Sequence, residues 1–104
     1  MNKQQQRRRA RDGGARDQVL AEPGRFLERH YLRPLDLSQS EVARRLGMSR
    51  RRVHEIVQGH RGVSADTAIR CALAFGLPAH DWLAMQARWD TFHAWKALRA
   101  RRGG

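Results

Sequence analysis

Several things are scarce in this chain. Among 104 residues there is one cysteine, so no internal disulfide can form. Cys71 lies between Ile69 and Leu73 in an apolar pattern, which predicts a small buried side chain. No apolar run approaches the roughly 20 residues needed to cross a bilayer. The N-terminus is polar and has no apolar segment of the kind a signal peptide needs. Together these absences predict a cytoplasmic protein. Alternating apolar and polar residues are missing too, so strands are not expected. The signatures GxxxxGKS/T, GxSxG and HExxH do not occur. No two of the five histidines, His30, His54, His60, His80 and His93, stand at metal-ligand spacing on one helix face. Asp90 and His93, three apart, read as a surface pair rather than an acid–base dyad. Catalytic residues, metals and cofactors are therefore not expected.

Acids are also few. Asp and Glu number 10 against 21 Lys and Arg, a net charge of +11 and a pI near 11.7. A balance this basic points to nucleic acid or another polyanion. Charge alone would also suit an acidic lipid surface.

What is present is organised around residues 38–58, SQSEVARRLGMSRRRVHEIVQ. Ser38 and Glu41 form a capping-box pattern that opens a helix. Val42, Ala43 and Leu46 give it an apolar face, and Gly47 suits a left-handed residue just past its end. Ser49 can cap a second helix, with Val53, Ile56 and Val57 inward. Helices joined by so short a turn cross steeply, and Ala43 is small enough for the crossing point. The second helix opens with Arg50, Arg51 and Arg52. A helix N-terminus is the positive end of the backbone dipole, so three cations there conflict with folding. A local rule broken without a folding gain tends to mark function. An anion would relieve the conflict, and DNA offers phosphates for the helix end and guanine edges for bidentate arginine.

The remainder is read outward from this pair. Residues 1–20 are expected to be a disordered basic tail that either solubilises or follows phosphates. Its basic side chains are Lys3, Arg7, Arg8, Arg9, Arg11 and Arg16. A first helix spans 22–32, with Pro23 in its first turn and Phe26, Leu27, Tyr31 and His30 inward. Leu35 and Leu37 should pack beneath the next helix. Gly59-His60-Arg61-Gly62 matches the GxxG of KH domains, but without strands it reads as a helix stop and loop. Arg61 could reach a phosphate from that loop. Ser64 caps a fourth helix to Phe75, with Ala68, Ile69, Cys71, Ala72 and Leu73 inward. Pro78 opens a fifth that runs to about Leu98. Trp82, Met85, Trp89 and Phe92 repeat on it at three, four and three, and Trp95 follows. Trp82 and Leu83 suit the core. Trp89, Phe92 and Trp95 exceed what a small bundle needs and predict a dimer or partner surface. Residues 100–104 form a basic C-terminal tail, leaving 21–99 as the domain.

These segments carry a family resemblance. The EPGRFLERHYLRPLDLSQSEVARRLGMSRRRVHEIVQGHRGVSADTAIRCALAFG stretch, followed by DWLAMQ, resembles the HigA-type, VapI-like antitoxins of the Xre/Cro helix-turn-helix family. The resemblance implies an all-α, five-helix, lambda-repressor-like DNA-binding domain. It also implies a homodimer on double-stranded operator DNA, repression of its own operon, and a small HigB-like ribonuclease toxin as partner. On this reading Gln39 contacts a phosphate at the start of the first motif helix. Ser49, Arg50, Arg51 and His54 face the major groove, with Arg52, Gln58 and Arg61 secondary. Other readings are a regulator without a toxin, a module that mainly binds protein, and a basic protein that binds RNA or DNA without sequence preference.

Overall fold

Serine side chains cap the starts of three helices. In a computed structural model, which describes residues 18–103, five helices follow one another and no strand occurs among the described residues. The first, α1, begins as an α-helix over Pro23–Leu27 and widens into a π-helical turn over Glu28–Leu32. Arg33 N–H closes that turn by donating to Glu28 O at 3.0 Å. The wider turn draws residues five apart onto one side. Phe26, Leu27, Tyr31 and Leu32 are all buried as a result.

The second helix, α2, covers Gln39–Leu46, and its capping box is made: Ser38 Oγ accepts from Glu41 N–H at 3.1 Å. Gly47 ends it at φ 66°. The third, α3, covers Arg50–Val57, where Ser49 Oγ accepts from Arg52 N–H at 3.1 Å. In α4, Ala65–Phe75, Ser64 plays the same part for Thr67 N–H at 3.3 Å. The last helix, α5, covers Ala79–Gly103 and so runs past the expected end at Leu98. The residues expected as a C-terminal tail continue it through Gly103.

The core lies between these helices. Val42, Ala43 and Leu46 meet Val53, Ile56 and Val57 there, under Trp82 and Met85 from α5. An aromatic group holds α1 to α5: the Phe26 and Trp82 rings stand edge to face at 5.6 Å, and Tyr31 lies 5.9 Å from Trp82. Cys71 is buried, and burial pushes its thiol up to about 12, so it stays protonated and unreactive.

Four apolar expectations are corrected. Ile69 and Leu73 are 54% and 84% exposed. The inward face of α4 is instead Ala68, Cys71 and Phe75 with buried Thr67, and this rotation turns positions 69 and 73 to solvent. Leu35 is exposed because the turn before α2, where Asp36 has φ 53°, carries it outward, while Leu37 packs on the core. Leu83 sits at the rim of the α5 contact and is 36% exposed. The expected tail over 1–20 lies outside the described residues up to position 17. Its last part is held, because Arg88 donates to the carbonyls of Gln18 and Val19 at 3.0 and 3.1 Å.

Candidate nucleic-acid interface

Each α3 residue turns the helix by about 100°, so three inward residues fix what the others face. With Val53, Ile56 and Val57 in the core, the opposite side holds Arg51, Glu55 and Gln58, flanked by Arg50 and His54. The depth at which α3 sits depends on two small residues. Ala43 is buried at the crossing with α2. Gly24 lets α1 approach so closely that a Cβ there would collide with the Ile56 carbonyl.

The three arginines of the first turn separate. Arg50 is exposed and has no side-chain partner among the described residues. Arg51 is 90% exposed, and its Nε donates to Glu55 Oε1 at 3.1 Å. Arg52 turns aside: its Nη2 donates to Thr67 Oγ1 at 3.0 Å and lies 3.4 Å from Asp66 Oδ2. The pole of α3 therefore presents two outward cations rather than the expected three.

Arg52 belongs to a lock that sequence reasoning missed. Arg70 Nε donates to the same Asp66 Oδ2 at 2.9 Å, and Arg70 Nη1 donates to the carbonyls of Leu46 and Gly47 at 2.9 and 3.0 Å. A cation on α4 thus satisfies the free carbonyls at the end of α2, where the dipole favours positive charge. The four-residue spacing of Asp66 and Arg70 was a visible signal for that pair. Nothing local pointed to Arg52 or to the carbonyls.

The other expected residues gather around the same face. Gln39, at the first position of α2, has Oε1 3.1 Å from His54 Nδ1, which ties the start of α2 to the middle of α3. Ser49 is exposed at the cap and retains its hydroxyl hydrogen for donation. Gln58 is the exposed C-terminal cap of α3, two turns from Arg51 on the same side. Arg61 folds back from its loop, and its Nε donates to Glu55 Oε2 at 2.9 Å. Hydrogen bonds from Arg61 and Arg51 hold the Glu55 carboxyl below its ordinary value, against a partial desolvation effect. Glu55 is the one acid of α3, and it too was missed, although it stands four residues after Arg51.

The second candidate surface lies on α5. Trp89 and Phe92 are half-buried, while Trp95 and Leu98 are more than half exposed. The Trp89 and His93 rings meet at 4.3 Å with their planes tilted by 59°, and Arg99 sits 5.2 Å over the Trp95 ring. These neighbours cover part of the ring faces and leave an apolar strip beyond the bundle.

Comparison with known proteins agrees with this arrangement. The helix-turn-helix family profile matches residues 29–82. Virulence-associated protein I of Dichelobacter nodosus is 40% identical over 77 residues, which cover 74% of this chain and 71% of that protein. The structure of Pseudomonas aeruginosa antitoxin HigA with the higBA promoter has a TM-score of 0.72 and 34% identity, covering 76% of this chain and 86% of that one. An addiction-module antidote protein of the HigA family from Coxiella burnetii has a TM-score of 0.73 and 31% identity, covering 78% and 88%. With the two caps, the αL glycine and the exposed third helix in register, the chain belongs to the Xre-like helix-turn-helix family of DNA-binding regulators, among relatives of the HigA and VapI type.

Proposed function

We propose that this protein is a homodimeric operator-binding repressor that controls its own operon and acts as the antitoxin to a HigB-like ribonuclease. The observation that carries the DNA part is the pair Arg50 and Arg51, outward at the positive pole of α3. Arg51 and His54 read base edges in the major groove, with Arg50 and Ser49 at its rim. Gln39, placed by His54, meets a phosphate. Arg61 and Gln58 take backbone positions, and Arg52 acts by positioning α3. The apolar strip of Trp89, Phe92 and Trp95 is the surface for a second copy or for the toxin. The site of action is the cytoplasm, on the nucleoid. The promoter-bound HigA structure and the HigA-family antidote protein support this reading.

A second reading, a regulator without a toxin, is favoured by the net charge of +11, which would repel a basic ribonuclease. Footprinting on the DNA upstream of the gene tests the shared part. The expected result is a palindrome with half-site centres about 34 Å apart; protection without any repeat would contradict it. Co-expression with the adjacent reading frame separates the two readings. Growth arrest by that frame, relieved by this protein, establishes the antitoxin, and its absence leaves the regulator.

A further inference from the structure

An acid in the middle of a face that must meet phosphates conflicts with binding, and Glu55 is such an acid. Its geometry resolves the conflict. One oxygen accepts from Arg51 Nε at 3.1 Å and the other from Arg61 Nε at 2.9 Å. Both bonds are made to the inner nitrogen of the guanidinium. The two terminal nitrogens of each arginine therefore have no protein partner among the described residues. Those terminal nitrogens form the fork that fits guanine O6 and N7 or a phosphate. Glu55 itself sits on the rigid part of the face, one turn below Arg51 and beside buried Ile56. A flexible arginine on such a helix would otherwise sample many rotamers and find a phosphate as readily as a base.

We propose that Glu55 is a positioning residue for sequence discrimination: it brackets Arg51 and Arg61 from the side, aims the first at a guanine and the second at the backbone, and weakens binding to DNA of any other sequence. The proposal rests on the DNA-binding reading above. It predicts opposite signs for two quantities. Losing the negative charge strengthens binding to random DNA, since one repulsion is removed. Losing the bracket weakens discrimination.

The test compares the whole protein with Glu55→Gln and Glu55→Asp on a randomised operator library and on random-sequence duplex. For Glu55→Gln the expected result is about tenfold less preference for the guanine under Arg51, tighter binding to random duplex, and an unchanged unfolding midpoint. Glu55→Asp, which keeps the charge, restores part of the preference. In an Arg51→Ala background, Glu55→Gln changes base preference no further. Equal strengthening on every sequence, with preference intact, overturns the proposal and leaves the DNA-binding reading standing. A change of preference that survives in the Arg51→Ala background also overturns it, because Glu55 would then touch a base itself. Absence of any preference in the unmodified protein removes both readings together.

Discussion

Arg51 and Arg52 are adjacent, chemically identical, and separated by about 100° around one helix. That angle gives one of them solvent and Glu55, and the other Thr67 and Asp66. The sequence displayed three cations at a positive pole and made the conflict visible. It could not show that Arg52 escapes it, because its partners lie 14 and 15 positions away and meet it only when α4 docks. The two arginines should therefore fail differently. Arg52→Ala removes one of the two donors to the buried Thr67 hydroxyl, leaving Ser64 Oγ, and loosens Asp66, which should cost roughly 1–2 kcal/mol of stability. Base preference should not change. Urea unfolding together with binding to a panel of operator variants checks both halves; lost preference at unaltered stability would return Arg52 to the interface.

At the scale of elements, the helix boundaries were legible because local chemistry sets them. Ser38, Ser49 and Ser64 cap three helices as their positions predict, and Gly47 and Gly76 end two of them in left-handed geometry. The rotation of α4 was not legible. Ile69 and Leu73 are as apolar as any core pair, yet Ala68, Cys71 and Phe75 face inward because Thr67 is engaged by Arg52 and Ser64. The π turn in α1 also has no local signature, since it serves the burial of Tyr31 and Leu32 against other helices. Gly24 sets two element-scale rules against each other. Helix propensity alone would make Gly24→Ala stabilising by about 1 kcal/mol. A Cβ at that point meets the Ile56 carbonyl, a backbone atom that cannot rotate away. Overpacking of this kind costs roughly 1–3 kcal/mol, so net destabilisation and weaker operator binding are expected as α3 is displaced. An unfolding midpoint equal to or above that of the unmodified protein would show that α1 and α3 do not meet as described.

Over the whole molecule, two exposed surfaces stand apart. The basic one faces outward from α3 and is framed by the α2 start and the 59–62 loop. The apolar one lies on the far half of α5, where Trp95 and Leu98 stand beyond the core. Both were readable from composition: excess cations in one helix turn, and aromatics beyond the needs of a small bundle. Part of the network behind the basic surface was hidden, because Arg52 meets Asp66 and Thr67, and Arg70 meets the Leu46 and Gly47 carbonyls, only across long stretches of chain. In the proposed function, specific recognition depends on Arg51 reaching a base from a helix pole that would otherwise repel it. The most direct measurement is the base preference of Arg51→Ala across a library of operator variants, with folding checked alongside. The expected result is a loss of about 1–3 kcal/mol of discrimination at a single base position and its symmetry mate, with the other positions keeping their preference. A variant that ranks every sequence as the unmodified protein does would contradict it.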